Sequence, residues 1–379
     1  MYVSTSIIPI YPNNYVLLMG PPAARKSTAL KYARNLLKKA GYKRMAPERM
    51  SRQAFINEMH AINQPEALGL GLEDILDMET DYPYEMSIAA SEFVDFIGQH
   101  DKDYLMLLTT LWDNEDEYSN PKISKTSIKV IKPTVNLISA ATPLNLEQAF
   151  PSGSMDTGTL SRFIFVHGEP SGKKILFPPP PDKEAERALV ARLTQIGQLS
   201  GPMTFTPAAI EAMQWIYENA KGPDDPRFTY YEGRRNTHLV KLCIIMAASD
   251  LRLEINEHDV LAANTILGMT EYNMSHALGD FGRSRQSSVI HNILQWLKNQ
   301  GRPVKIMEIF QQFASDFNSE KEFQSMMMDL QATNKIVAIH KKKEFLGVMV
   351  RERSFPTWLK PLMKLDMLTQ EERDMLAIG

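Results

Sequence analysis

The sequence predicts an α/β domain that is followed along the chain by mainly helical segments, and three observations support this prediction. Short apolar runs at 16–19, 86–90 and 134–141 have the length of buried strands. Runs of helical period lie between them, as at 28–40. After the proline-rich run FPPPPD at 177–182, helical patterns dominate. Strands that alternate with helices favour a parallel sheet sandwiched between helices.

The first strand leads into a loop that approximates the phosphate-loop pattern G-x-x-x-x-G-K-[ST]. Strand, loop and helix follow one another in the order that this pattern requires. Amides of such a loop and the helix N-terminus bind a triphosphate, the loop lysine contacts the β- and γ-phosphates, and the next hydroxyl ligates Mg²⁺. We therefore expect these roles for Lys26 and Ser27. The expected nucleotide-binding residues are Gly20, Pro21, Pro22, Ala23, Ala24, Arg25, Lys26, Ser27 and Thr28.

Arg25 departs from the pattern, which has glycine at this position. An arginine can offer its backbone amide there if its φ is negative, and it adds a cation near the phosphates. The alternative interpretation is an ordinary strand-to-helix turn in which basic residues occur by chance.

Composition and charge restrict the possible functions. The 379 residues are enough for two or three domains, and the net charge of −3 gives no basic field over the whole chain, so contact with nucleic acid would need local patches. The one cysteine, Cys243, lies in an apolar helical run, which favours a core residue in a reducing cytosol. The sequence shows neither zinc-ligand spacing nor a membrane-spanning run.

The second predicted strand, 86–90, ends at Ser91-Glu92. P-loop ATPases carry an acidic pair at such a position, an Asp for the Mg²⁺ shell and a Glu that polarises the attacking water. Ser91 takes the place of the Asp, and Glu92 is the predicted catalytic base. Asp95, one helical turn further on, is a weaker candidate, and a solvated acid near a helix N-terminus is the alternative for Glu92.

Four lysines, Lys122, Lys125, Lys129 and Lys132, lie in a β-rich, hairpin-like segment before the strand at 134–141. They favour either a hairpin that contacts nucleic-acid phosphates or a charged edge strand. Arg162 comes just before a further short strand. An arginine at a subunit edge can reach a neighbour's γ-phosphate, although pairing with Asp156 or another acid is the alternative.

Four helical runs after the linker predict a helical lid, in which Arg234 lies near the start of the third. The order helix, helix, helix, strand, turn, strand over 289–350 predicts a winged helix, with Lys341, Lys342 and Lys343 in the turn. A basic wing can contact a nucleic-acid backbone without reading its sequence. The third of these helices carries Glu320, Glu322 and Asp329, which disfavours DNA and favours a protein partner.

Taken in this order, the motifs resemble those of AAA+ ATPases, and in particular minichromosome-maintenance-type replicative helicases and helicase-like P-loop proteins of phages and mobile elements. Ala-Ala-Thr-Pro at 140–143 is similar to the Ala-Ala-Asn-Pro end of the sensor-1 strand, which implies that Thr142 orients the water. Leu-Ser-Arg-Phe at 160–163 resembles the arginine-finger motif Leu-Ser-Arg-Phe-Asp, with Ile164 in place of the Asp. Arg234 is similar to a sensor-2 arginine.

The resemblance implies an AAA+ core at 1–180, a helical lid at 183–282, a winged-helix domain at 287–352 and a tail at 353–379. It implies an ATP- and Mg²⁺-dependent DNA helicase or translocase that acts as a ring, expected to be a hexamer, in replication of a phage or mobile element. The expected partners are single-stranded or forked DNA and other replication proteins, and the expected location is a bacterial or phage-infected cytosol. The expected catalytic residues are Lys26, Glu92, Thr142, Arg162 and Arg234.

Two other functions remain open. A helicase loader or remodelling factor would use the winged helix to bind a protein, in agreement with the acidic third helix. An ATP-gated replication initiator that binds ATP but hydrolyses it slowly would agree with the departures from pattern at Arg25 and Ser91.

Overall fold

A computed structural model of the chain describes residues 1–4, 9–64, 67, 83–114, 117–119, 128–150, 158–170, 175–177, 179–220, 222–223, 225–278, 285–317, 319–333, 335–341 and 344–350. Contacts divide the chain into two compact units, Met1–Phe281 and Gly282–Gly379. Within the described ranges, no helix combines the length and the apolar character needed to cross a bilayer.

The strands are β1 (Tyr2–Ser4), β2 (Pro9–Ile10), β3 (Tyr15–Met19), β4 (Glu85–Ala90), β5 (Glu117–Ser119), β6 (Lys129–Ile131), β7 (Thr134–Ala141), β8 (Phe163–His167), β9 (Pro202–Phe205), β10 (Glu254–Ile255), β11 (Ile336–Lys341) and β12 (Glu344–Val350). The α-helices are α1 (Lys26–Lys39), α2 (Arg52–Ala61), α3 (Phe93–Ile97), α4 (Lys102–Trp112), α5 (Pro143–Ala149), α6 (Lys183–Ile196), α7 (Pro207–Asn219), α8 (Thr229–Ser249), α9 (Glu257–Leu278), α10 (Arg285–Gln300), α11 (Ile306–Phe313) and α12 (Glu320–Ala332).

A parallel sheet of four strands in the order β4-β7-β3-β8 forms the centre of the first unit, which confirms the predicted α/β class. Met45 adds a parallel bridge to Ser87 of β4, so the chain near residue 45 extends the sheet on that side. Because the strands are parallel, all their carboxyl ends lie along one edge. The loop after β3 therefore shares that edge with the residues that follow β7 and β4.

Alternate side chains of the central strands enter two separate apolar clusters. Tyr15 and Leu17 of β3 belong to a cluster that also contains Phe93 and Trp112, from the α3 and α4 side of the sheet. Val16 packs against a second cluster, built mainly from α7, α8 and α9. This alternation is the two-residue period of a strand buried on both faces.

A second, small sheet joins the start of the chain to the helical segment, in the order β10-β9-β1-β2. Tyr2 and Val3 pair in parallel with Pro202 and Met203. The sequence did not predict this sheet. Strands of two to four residues carry too little periodicity to be recognised, and their pairing partners lie far apart along the chain.

Helices α8 and α9 enclose a buried polar network in the first unit. Arg235 donates to both carboxylate oxygens of Glu271, at 2.8 and 3.1 Å, and to Asn264 Oδ1 at 2.9 Å. The Tyr231 hydroxyl also donates to Glu271. Burial is the largest influence on the pKa of Glu271 and raises it, although Arg235 opposes the shift.

The second unit contains three helices followed by two strands, in the predicted order. Strands β11 and β12 pair antiparallel, and Val304 exchanges two backbone hydrogen bonds with Val348 of β12. Gly347 permits this close approach, because a Cβ there would lie 2.5 Å from the Val304 carbonyl oxygen. Phe323 and Leu330 place the buried face of α12 in the core of this unit.

Candidate nucleotide-binding site

The loop between β3 and α1 begins at Gly20, and only glycine fits there. Its φ is 150°, and a Cβ would lie 2.2 Å from the carbonyl oxygen of Gly168, which follows β8. Gly168 in turn donates its amide to Met19, the last residue of β3. The end of β8 thus packs directly against Gly20 and fixes the start of the loop.

Arg25 adopts the left-handed conformation that glycine favours, with φ 58° and ψ 20°. The condition stated for an arginine to offer its backbone amide at this position, a negative φ, is therefore not met. Ala23 is also left-handed, at φ 69°. The loop keeps the backbone path of a glycine-containing turn without the glycine, at a cost of about 1–2 kcal/mol for a residue with a Cβ.

Lys26 lies across the loop that precedes it. Its ammonium donates to the carbonyl oxygens of Gly20, at 2.7 Å, and Pro21, at 2.9 Å. The N-terminus of α1 has no side-chain cap and no acidic residue in its first turn. Ser27 and Thr28 are exposed on that turn. Unpaired helix amides, the helix dipole and the Lys26 ammonium thus lie close together, and this is the chemistry that binds phosphate.

Thr142 and Glu92 follow neighbouring strands and are linked through Asn145. Thr142 caps α5, because its hydroxyl accepts a hydrogen bond from the Asn145 backbone amide at 3.2 Å. The Asn145 side-chain amide donates to Glu92 Oε2, also at 3.2 Å. Since β7 lies between β3 and β4, Thr142 and Glu92 share the edge of the sheet that carries the loop between β3 and α1. The sequence analysis missed Asn145. The sequence Thr142-Pro143 is a typical start of a helix, but the sequence does not show the strand order that brings α5 close to Glu92.

Ser91 lies beside a carboxylate that comes from outside β4. Its backbone amide donates to Glu48 Oε2 at 3.1 Å, and Arg34 of α1 pairs with the other carboxylate oxygen. Glu48 follows the stretch of chain that bridges to β4 at Ser87. The weaker candidate base, Asp95, is ion-paired with Arg49.

Arg162 and Arg234 meet at the opposite edge of the sheet, on Asp113. Arg162 is only 8% exposed and donates to Asp113 Oδ2 at 2.5 Å, while Arg234 donates to Asp113 Oδ1 at 3.2 Å. Both guanidinium groups also lie 5.7 Å from the centre of the Trp112 ring. Arg162 precedes β8, so at about 3.3 Å per residue it lies about 20 Å from the carboxyl edge of the sheet, where the loop between β3 and α1 begins. The structure brings these two arginines together but places them away from Lys26 and Glu92 of the same chain.

Two further titratable groups are buried beside this arginine pair. The Lys241 ammonium donates to Asn13 Oδ1 at 2.5 Å and lies 4.1 Å from the Trp112 ring centre. Its burial holds the pKa well below the ordinary value for lysine. His238 hydrogen-bonds through Nε2 to the Ser161 carbonyl oxygen at 2.9 Å. Burial, the strongest influence, lowers the pKa of His238 to about 4.

Only part of the predicted nucleic-acid contact set lies within the described residues. Lys129 begins β6, which pairs antiparallel with β5, and its ammonium is 3.1 Å from the Glu117 carboxylate. Lys132 follows β6 with φ 40°. Lys341 ends β11, but its side chain is outside the described part. The other candidates lie outside the described residues: Lys122, Lys125, Lys342 and Lys343.

No cluster of three or more acidic, histidine or cysteine side chains suited to a metal ion occurs among the described residues. Mg²⁺ does not need such a cluster, because it is ordinarily held by one or two protein ligands together with substrate phosphates and waters. The Ser27 hydroxyl on the exposed first turn of α1 suits that role. The residues present therefore fit a magnesium–nucleotide complex at the loop.

Comparison with known proteins gives no family: no protein-family model matches the chain, and no curated protein is significantly similar to it.

Proposed function

We propose that the protein is a P-loop ATPase of the AAA+ type that binds ATP with Mg²⁺ at the carboxyl edge of its central sheet. The observation that carries this proposal is the loop from Gly20 to Lys26. Its glycine-like backbone, its uncapped helix N-terminus and its lysine all offer positive charge or donors at one place.

The residues on the neighbouring strand ends supply the other parts of a hydrolytic site. Glu92 is the general base that takes a proton from the attacking water, and Thr142 helps to position that water. The Asn145 amide fixes one carboxylate oxygen of Glu92 and leaves the other available. Bound Mg²⁺ would neutralise charge on the phosphate oxygens.

Arg162 and Arg234 fit a role towards a neighbouring subunit. Both lie at the amino edge of the sheet, about 20 Å from the phosphate loop of their own chain. In a ring, that edge would face the phosphate loop of another copy, where either arginine would stabilise charge on the transferred phosphoryl group. To do so, each has to leave its ion pair with Asp113.

We propose translocation on DNA as the output of hydrolysis, in a hexameric ring that acts as a helicase in the cytosol of a bacterium or a phage-infected cell. The antiparallel pair of β5 and β6, which carries Lys129 and ends before Lys132, supports this proposal as a site of phosphate contact. The replication setting rests on the motif resemblance alone.

A loader or ATP-gated initiator is the second candidate function, favoured by the backbone at Arg25. The loop has an arginine in the left-handed conformation, and Ser91 stands in place of the magnesium-shell Asp. Both features are consistent with a protein that binds ATP but hydrolyses it slowly. Glu320 and Glu322 in the first turn of α12 also suit a protein partner better than DNA.

The decisive experiment measures nucleotide affinity and ATP turnover for the full chain, with and without single-stranded and forked DNA. We expect Lys26→Ala to abolish nucleotide binding, and Glu92→Gln to keep binding while turnover falls at least a hundredfold. Asp95→Asn is the matched control and should leave turnover within about twofold. Unchanged turnover in Glu92→Gln would refute the catalytic assignment.

DNA and oligomeric state separate the two candidate functions. A helicase should show ATP turnover stimulated by DNA, together with strand displacement on a fork. Turnover that neither DNA changes would refute the helicase proposal and favour the loader. A protein that stays monomeric with ATP bound would refute the role of Arg162 in a neighbouring site.

A further inference from the structure

We propose that Glu48 supplies the magnesium-shell carboxylate that the sequence lacks at Ser91. This inference rests on the proposed ATPase function and assigns a metal-site residue from a different part of the chain. The carboxylate would accept a hydrogen bond from the hydration shell of Mg²⁺ when the ion is bound.

The contact between Glu48 and Ser91 carries the proposal. Ser91 comes directly after β4, at the position where the resemblance expects an Asp, and a serine hydroxyl brings no negative charge. The Ser91 amide binds Glu48 Oε2 at 3.1 Å, so a carboxylate nevertheless lies at the end of β4. It lies there because Met45 pairs in parallel with Ser87, so the chain after Met45 runs in the same direction as β4.

The environment of Glu48 keeps this carboxylate ionised. Partial burial on its own would raise the pKa of Glu48. The hydrogen bond from the Ser91 amide and the charge of Arg34 outweigh that effect and hold the pKa below its usual value. Glu48 is therefore negatively charged at neutral pH.

Glu48 also retains capacity for a further hydrogen bond. The carboxylate accepts from the Ser91 amide, from the Ser91 hydroxyl and from Arg34, whereas an ionised carboxylate offers about four acceptor positions. Its side chain is 36% exposed, so water reaches it. Mg²⁺ keeps several of its waters when it binds nucleotides in proteins, and such a water needs an acceptor at this edge of the sheet.

The ion pair with Arg34 provides the competing explanation, in which Glu48 only attaches the chain around residue 48 to α1. We call this the fastening role. The two explanations differ in what removal of Arg34 does. A fastening role predicts the same effect from loss of either partner, whereas a metal role predicts an effect on the magnesium dependence from loss of Glu48 only. Both side chains are more than a third exposed, so loss of the pair leaves the fold intact.

The test measures the affinity of the full chain for a fluorescent ATP analogue, once with Mg²⁺ and once with EDTA. The ratio of the two affinities reports the metal's contribution without any turnover. We expect Glu48→Gln to lower this ratio by about tenfold or more, with the EDTA affinity unchanged. Arg34→Gln, the matched control, should keep the ratio within about twofold. The double variant Glu48→Gln with Ser91→Asp should restore it, because the carboxylate returns from β4 itself.

A wild-type ratio in Glu48→Gln would overturn the inference while leaving the proposed function standing. Equal losses in Glu48→Gln and Arg34→Gln, without rescue by Ser91→Asp, would show that Glu48 only fastens its segment. If the wild type bound no nucleotide in either condition, the proposed function would fail, and the inference with it.

Discussion

Acid should destabilise the first unit through one buried imidazole, that of His238. Burial is the main cause that lowers its pKa to about 4, and the cations Lys241, Arg234 and Arg162 act in the same direction, against the hydrogen bond with the Ser161 carbonyl. The folded state therefore holds the neutral ring, while the unfolded chain binds a proton near the ordinary pKa of 6.5. The contribution of the neutral His238 ring to the free energy of unfolding is fully present above pH 6.5 and is lost as the pH falls towards 4.

The size of this loss follows from the two pKa values. Protonation of this one group lowers the free energy of unfolding by about 2 kcal/mol at pH 5 and by about 3 kcal/mol at pH 4. The assay is urea unfolding at pH 7 and pH 5 in a background with Trp296→Phe and Trp358→Phe, so that tryptophan fluorescence reports the first unit. His238→Gln, whose amide keeps a donor for Ser161, should lose about 2 kcal/mol less than the parent between these pH values.

The exposed His258 provides the control, since His258→Gln should show the same pH dependence as the parent. Carboxylates contribute equally to parent and variant, so the comparison isolates the imidazole. If His238→Gln and the parent lose the same unfolding free energy between pH 7 and pH 5, within about 0.5 kcal/mol, the assignment of a buried neutral His238 is refuted.

Three further predictions address the phosphate loop, the catalytic edge and the helical segment. Arg25→Gly should be about 1 kcal/mol more stable than Arg25→Ala by chemical denaturation, because both lack the cation and only glycine relieves the left-handed strain; equal stabilities would contradict this reasoning. Asn145→Ala should lower ATP turnover about tenfold with nucleotide affinity unchanged, since it frees Glu92 but keeps the backbone bond to Thr142; a change in affinity alone would argue against this role. Glu271→Ala should cost about 3–5 kcal/mol in urea unfolding by removing the carboxylate that neutralises the buried Arg235 guanidinium, and a loss below 1 kcal/mol would refute the buried pair.

The local parts of the candidate site were predictable from the sequence, whereas the contacts between its parts were not. The strand–loop–helix order around Lys26 and the cap at Thr142 are signals carried by a few neighbouring residues. The link from Asn145 to Glu92 spans 53 residues and that from Glu48 to Ser91 spans 43, and no local pattern records either. The positive φ of Arg25 could not be predicted from its residue type, because the geometry of the turn requires it.

The sequence by itself determined the α/β class, the strand–loop–helix order around Lys26, and most helix starts, because periodicity and capping residues act within one or two turns of chain. Only the tertiary structure decided the strand order β4-β7-β3-β8, which places Thr142 and Glu92 along the phosphate-loop edge. It also decided that Arg162 and Arg234 share Asp113 at the far edge. The physical reason is that side-chain pattern specifies which face of an element is buried, while strand pairing and register, set by contacts distant in sequence, specify which elements meet.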